Sequence, residues 1–395
     1  MKPNRYLLVS EYYYPVDTST GYYMSEIANY LYDKKINIKV ITTNTHYRNN
    51  HKHFAIVDKV PVLRIPISKN KSKRKILNIL ASIKISILLS ISVKKTIKKD
   101  DSLILVTNPP FLLLFIRLFI RIKKQNTVLI IHDFFPFNLI STKFLKRESI
   151  LYKLLCNFYI SIYRSVKKTI VLGRDMAEFH KKVIGTDSVF IVPNWADTDK
   201  VYPISKQNTS LFQTLKQKSK LIIQFAGNIG LAQDIDSILL LAKACINLDI
   251  LFLFIGDGKE SGKVKAFSGS NILYIPFIDK SEQNNFLNCA DIGLVSLREG
   301  MEGLGVPSRA YNILAAGKPI LYIGNPNGEI ARLVIEDKCG WSFTYNQIEK
   351  IKEFLIWLLD NMDSLSFYCN QARKIAEQKY NIHKMLENYY NVLRT

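Results

Sequence analysis

Short apolar runs recur along the whole chain. RYLLV, IKVITTN, SLILV, TVLII and TIVLG lie in the first half; LIIQFAG, ILFLFIG, NILYI, DIGLVSL and ILYIG lie in the second. They are mostly apolar rather than strictly alternating, which fits strands buried on both faces of a parallel sheet. Between the first two runs, MSEIANYLYDKK places Met24, Ile27, Ala28 and Leu31 at helical spacing. Strand, helix, strand is the opening of a βαβ fold. A second such series begins after the stretch bounded by Pro193 and Pro203. The pattern predicts an α/β protein of two Rossmann-like domains with parallel sheets.

The stretch Arg298–Ile320, REGMEGLGVPSRAYNILAAGKPI, is the most informative. It follows the run DIGLVSL as a glycine-spaced loop. Pro307 suits the first turn of a helix, Gly317 suits the position past its end, and Pro319 blocks continuation. A helix N-terminus carries unpaired N–H groups and partial positive charge, and Arg309 adds a fixed cation there. With Gly303 and Gly305 allowing close backbone approach, this reads as a phosphate site. A structural βαβ turn with a surface arginine accounts for the same residues.

Ligands of open parallel sheets bind beyond the carboxyl ends of the strands. His132 and Asp133 stand at such an end, after TVLII, and Asn108-Pro109-Pro110 ends another run. Gly21 lies where a loop meets a helix, and reads equally as a plain loop residue. Asp197-Thr198-Asp199 is formally a D-x-D, but it falls in the Pro-bounded linker and is read as linker rather than as a metal site.

At 395 residues and 48% hydrophobic content, two domains are expected. Cys156, Cys245, Cys289, Cys339 and Cys369 show no metal or CxxC spacing and are expected reduced. The start lacks the long apolar core of a signal peptide. Charge changes the picture more. The net charge is +22; residues 1–192 hold 33 Lys and Arg against 12 Asp and Glu, so nearly all the excess sits there. That half seeks an anionic surface: phospholipid, a lipid pyrophosphate or nucleic acid. Lys69–Lys75 and Lys94–Lys99 flank the apolar run ILNILASIKISILLSISV, which Lys84 and several serines interrupt. This predicts an amphipathic helix at a membrane surface; a core helix with a solvated end, or a transmembrane helix, are the alternatives. The basic clusters interleave with aliphatics rather than aromatics, which favours membrane over nucleic acid.

VPSRAYNILAAGKPI resembles the donor-site segment of glycosyltransferase family 4, retaining enzymes of the GT-B fold. It is most similar to a bacterial polysaccharide branch that includes an O-antigen fucosyltransferase, in which the segment reads PSK or PSR. STG near Gly21, VLGRDMAE, PNWADTD and the second-half loops extend the resemblance over nearly the whole chain. It implies two facing Rossmann-like domains, residues 1–196 taking the acceptor and 197–378 the nucleotide-sugar, with 379–395 returning as a helix to the first. It implies that His132 contacts the donor sugar, and that Glu302 (Glu299 competes) is the first of two family glutamates. The second falls at Asn312, so that carboxylate is missing. The family's Arg and Lys on the pyrophosphate fall at Asn228 and Gln233. Gly227, Gly230, Gly256, Gly305, Val306, Pro307 and Ser308 would lie around the donor, and Phe277 and Ile278 at its base. With the basic pair absent, leaving-group charge would fall on Arg309, the helix start and loop 227–230.

The expectation is a metal-independent, retaining glycosyltransferase without cofactor. It would use a nucleotide-diphospho-sugar and a lipid-linked glycan acceptor, work peripherally on the cytoplasmic membrane face in O-antigen or capsule synthesis, and bind no nucleic acid. A catalytically weak partner subunit anchoring a polysaccharide complex is the alternative.

Overall fold

The computed structural model describes residues 5–16, 18–44, 59–67, 75–120, 126–141, 144–215, 219–267, 269 and 271–395. Residues 69–74 of the basic run lie outside these. The chain divides into two compact units, Met1–Pro193 with Leu386–Thr395, and Asn194–Met385.

The first unit is built on seven strands: β1 (Arg5–Val9), β2 (Ile38–Thr43), β3 (Val62–Ile65), β4 (Asp101–Val106), β5 (Asn126–Ile131), β6 (Lys168–Val171) and β7 (Val189–Ile191). They form one sheet in the order β3-β2-β1-β4-β5-β6-β7, with every pairing parallel. Its helices are α1 (Ser19–Asp33), α2 (Lys75–Thr96), α3 (Leu112–Phe119), α4 (Asn138–Ser141), α5 (Ile150–Tyr163) and α6 (Arg174–Phe179). β4 is buried along its whole length, as a strand covered on both faces must be.

The second unit has six strands: β8 (Leu221–Ala226), β9 (Ile250–Ile255), β10 (Ile272–Ile275), β11 (Ile292–Ser296), β12 (Ile320–Ile323) and β13 (Gly340–Phe343). Their order is β10-β9-β8-β11-β12-β13, again parallel. Its helices are α7 (Ser210–Thr214), α8 (Ile235–Ala244), α9 (Ser261–Phe267), α10 (Gln283–Asn288), α11 (Arg309–Ala315), α12 (Glu329–Glu336), α13 (Ile348–Asp360) and α14 (Leu365–Gln378). Phe225, Phe252, Phe254, Leu294 and Leu321 from the sheet pack with Ile238, Leu241, Ile351 and Leu355 from the helices in one core.

Helix α15 (Ile382–Arg394) belongs to the first unit from Leu386 onward. There Tyr6 Oη donates to Leu393 O at 2.9 Å, and Lys168 Nζ donates to Val392 O at 2.7 Å and Thr395 Oγ1 at 3.2 Å. A lysine at a helix C-terminus satisfies free carbonyls and meets the negative end of the dipole, which is how Lys168 comes to be buried.

Three local readings change. α1 starts at Ser19, five residues before Met24, because Thr18 caps it: its side chain accepts from Gly21 N–H. Gly21 therefore sits in the first turn, where a Cβ would meet Val16 O at 2.6 Å. β3 and α5 were not read from the sequence: β3 is a four-residue edge strand, and α5 leaves Ile150, Leu151 and Leu154 exposed. The expected amphipathic helix α2 is divided along its length as well as around it. Ile85, Leu89 and Val93 are buried, one turn apart, while Ile76, Leu77, Ile79 and Leu80 are exposed. Its apolar residues occur on all sides, so the half that has a sheet beneath it packs and the other half does not.

Candidate functional site

In the second sheet the strand order reverses between β8 and β11, which are neighbours although two strands separate them in sequence. At such a switch point the connections leave in opposite directions and open a crevice past the strand ends. The loop after β8 is Gly227–Gly230, and the loop after β11 runs from Leu297 to Ser308. Loop Gly256–Gly258, after β9, completes this edge.

Glycine is required where two of these loops touch. Gly227 has φ +127° and Gly256 φ +131°, and a Cβ on Gly256 would lie 2.0 Å from Gly227 O. Hydrogen bonds knit the loops: Gly227 N–H donates to Ile255 O at 2.8 Å, Ile229 N–H to Asp257 O at 3.0 Å, and Glu260 N–H to Ile229 O at 3.0 Å. Gly230 N–H donates to Gln233 Oε1 at 3.0 Å, and the Asn228 amide folds over Gly230, where a Cβ would meet Asn228 Nδ2 at 2.6 Å. The N–H groups of Gly227, Ile229 and Gly230 are thus engaged within the protein, and the side chains of Asn228 and Gln233 shape the loop.

Arg309 is the first residue of α11. The helix begins two residues after Pro307, which occupies the lead-in turn instead of the first helical turn. The Arg309 guanidinium lies over the Phe225 ring, 3.9 Å from its centre, and Nη2 donates to Asn228 O at 2.9 Å. Nη1 is buried without a hydrogen-bond partner. Among the described residues no carboxylate pairs with it, and burial alone pulls its pKa downward. A half-buried cation with one open donor and no counter-ion is poised for an anion. Arg298 differs: its N–H donates to Ala232 O at 2.8 Å and its guanidinium meets Asp236 at 3.9 Å, so it holds the loop to α8.

Gly305 and Val306 are buried, and Pro307 and Ser308 half-buried, on the approach to α11. The Ser308 side chain makes no cap bond to the helix. Asn312 is half-buried three residues after Arg309, hence on the same helix face. Glu302 is half-buried with Oε2 enclosed and unpartnered, whereas Glu299 is exposed. Burial, with the carboxylates of Glu302, Asp234 and Glu299, pushes the Tyr345 hydroxyl pKa up. Phe277 and Ile278 follow β10, the edge strand, two positions from β8; Phe277 is exposed and Ile278 half-buried.

Gly21 and His132 belong to the other unit. His132 follows β5, its N–H donates to Thr107 Oγ1 at 3.2 Å, and its ring stacks on Tyr23 with centres 6.4 Å apart. Nε2 is enclosed without a partner, and burial draws the imidazole pKa down to about 4. His132 is therefore neutral at pH 7, able to give or take a hydrogen bond at one ring nitrogen. Asp197 spends its carboxylate on a turn: Oδ1 accepts from Asp199 N–H at 3.3 Å and Lys200 N–H at 3.2 Å, and Oδ2 pairs with Lys200 Nζ at 2.8 Å.

Sequence reasoning missed Phe225 and Tyr345. Phe225 carried a usable signal, since it is the last large side chain of β8, two residues before the glycine loop. Tyr345 is distant in sequence and reaches the edge only through the fold.

Comparison with known proteins bears on this arrangement. Residues 206–381 match the family model described as glycosyl transferases group 1. A probable glycosyltransferase WbjE of Pseudomonas aeruginosa is 32% identical over 395 residues, covering 99% of this chain and 98% of that protein. Among solved structures, the sucrose-phosphate synthase of Thermosynechococcus elongatus superposes with a TM-score of 0.77 at 11% identity, covering 99% of this chain and 98% of that one. Anabaena Alr3699/HepE, in complex with UDP and glucose, gives a TM-score of 0.73 at 13% identity, covering 99% of each chain. These structural likenesses identify the architecture as GT-B.

Proposed function

The chain belongs to the glycosyl transferases group 1 family and is a glycosyltransferase; from that premise we propose that it transfers a sugar, with retention of configuration, from a nucleotide-diphospho-sugar to a lipid-linked glycan acceptor. The observation that carries the donor reading is Arg309: a guanidinium over Phe225 with Nη1 buried and unpartnered, at the switch point between β8 and β11. The departing diphosphate gains negative charge as the glycosidic bond breaks. A preorganised cation stabilises that charge in the transition state more than in the ground state. UDP in the Anabaena complex supports a nucleoside diphosphate as the ligand class. Resemblance to family 4, and to its O-antigen fucosyltransferase branch, supports retention and a role in bacterial surface polysaccharide synthesis.

His132, neutral and uncharged toward phosphate, suits a hydrogen bond to the transferred sugar. Asn312, in place of a family carboxylate, offers an amide to the nucleotide ribose. The reaction needs no cofactor and no metal in this reading, since Arg309 supplies the positive charge.

The acceptor reading places the protein peripherally on the cytoplasmic face of a membrane. Support comes from the positive charge concentrated in residues 1–192 and from exposed Ile76, Leu77, Ile79 and Leu80 on α2, with Ile150, Leu151 and Leu154 on α5. Basic residues near an anionic surface contribute roughly 1 kcal/mol each, and apolar side chains add to that by insertion. The testing experiment is a thermal-shift screen of UDP, GDP and other nucleoside diphosphates, followed by donor hydrolysis. A base-specific shift with slow hydrolysis of the matching nucleotide-sugar supports transfer. A shift without hydrolysis or transfer supports the anchoring partner subunit instead.

A further inference from the structure

α11 carries Arg309 at one end, and the rest of the helix is held by the two stretches through which the chain enters and leaves this unit. The entering stretch is residues 194–203, and the leaving stretch is residues 380–385. At the C-terminal end of α11, Arg373 of α14 donates from Nη1 to Ala315 O at 2.8 Å. The same nitrogen donates to Val201 O at 2.8 Å, and Nη2 donates to Thr198 O at 3.1 Å. Nε pairs with Glu377 at 2.5 Å, which fixes the plane of the fork. Gly317, with φ +65°, packs so closely that a Cβ would lie 2.8 Å from Pro203 Cγ. On the inner face, the fully buried Tyr311 meets Tyr380 edge-on, with ring centres 5.0 Å apart. Tyr380 O in turn accepts from Ala196 N–H at 3.1 Å, beside the bridge between Ala196 and Asn381.

A guanidinium needed only to finish a helix would take the carbonyl of Ala315. Arg373 takes two more, both from the entering stretch. Thr198 lies within the Asp197 turn, so the D-x-D segment orients the carbonyl to which Arg373 donates. We propose that Arg373 is a positioning residue for the donor site: it bonds α11 to the entering stretch, which Ala196 in turn bonds to Tyr380 of the leaving stretch, so that a nucleoside diphosphate held by Arg309 steadies both crossings. This rests on the donor-site reading above. A ligand can stabilise a distant segment only if free energy of opening is shared between them, and a short rigid helix with both ends committed supplies that sharing.

Amide hydrogen exchange with UDP, and separately with GDP, at saturating concentration tests this. In the unaltered protein the matching nucleotide should slow exchange roughly 10-fold or more at residues 226–230 and also at 196–201 and 380–385. In Arg373→Gln the slowing at 226–230 should persist while that at 196–201 falls below about 2-fold. Arg373→Lys, which keeps the charge but not the fork, carries the comparison if the Gln variant does not fold. Equal slowing at the crossings in both variants, or protection of 226–230 alone in the unaltered protein, overturns the proposal. Slowing at none of these segments with either nucleotide removes the donor-site reading and the proposal with it.

Discussion

The guanidinium of Arg309 rests 3.9 Å above the centre of the Phe225 ring and has no carboxylate partner among the described residues. β8 supplies the ring and α11 the cation, so a strand and a helix distant in sequence build one contact that leaves a donor open. A cation over an aromatic face gains attraction without being neutralised, which leaves its charge available to a ligand.

Arg309→Ala is expected to lower kcat/KM by about 100-fold or more, equal to about 2.7 kcal/mol of transition-state stabilisation. Arg309→Lys should recover part of this, since it keeps the charge but not the fork. Arg309→Met should leave the melting temperature of the ligand-free protein unchanged or raised, because it removes a half-buried cation that has no carboxylate partner among the described residues. It should also abolish the shift produced by a nucleoside diphosphate. A lower ligand-free melting temperature would count against an uncompensated charge at this position.

Gly256→Ala tests the loop contact. The added Cβ would lie 2.0 Å from Gly227 O at φ +131°, so backbone must move. A loss of roughly 3 kcal/mol in chemical denaturation is expected, the sum of overpacking and strain. Gly262→Ala, within α9 where a Cβ meets nothing within 4 Å, serves as the control and should leave stability unchanged or raise it by up to about 1 kcal/mol.

His132 predicts a pH effect. Its folded pKa of about 4 lies below the unfolded value near 6.5, so the unfolded chain binds the proton more readily. The stability it contributes is complete above pH 6.5 and is lost as pH falls from there toward 4. Melting temperature should therefore drop more steeply across that window in the unaltered protein than in His132→Gln. His132→Ala should reduce turnover strongly while nucleoside diphosphate affinity stays nearly constant.

Replacing Ile150, Leu151 and Leu154 together with Asn should weaken flotation with anionic vesicles, because all three are exposed and lose no packing. Replacing Lys71, Lys73, Arg74 and Lys75 with Ser should release the protein at physiological salt. Unchanged flotation of both variants would exclude these residues as the membrane contact.

Transfer should survive EDTA. The Asp197 carboxylate is held by two backbone N–H groups and Lys200, and the proposed donor reading gives the diphosphate charge to Arg309. Loss of activity restored by Mn²⁺ or Mg²⁺ would show that a metal shares that task.

The sequence by itself determined most of the strands, the two βαβ series and the glycine loop leading to a short helix at Arg309. Each is local: buried parallel strands must be apolar on both sides, and Pro307, Gly317 and Pro319 fix where that helix can begin and end. Only the tertiary structure decided what those residues meet. No spacing in the chain places Phe225 beneath Arg309, Tyr345 beside Glu302, or Arg373 on the carbonyls of Thr198, Val201 and Ala315. Nor could it show that Gly227 and Ile229 spend their N–H groups on Ile255 and Asp257. Those partners follow from strand order, since β8 lies between β9 and β11, and order is set by crossover packing over the whole sheet. The division of α2 has the same origin: its composition is apolar on all sides, and only the position of the sheet decides which half is covered.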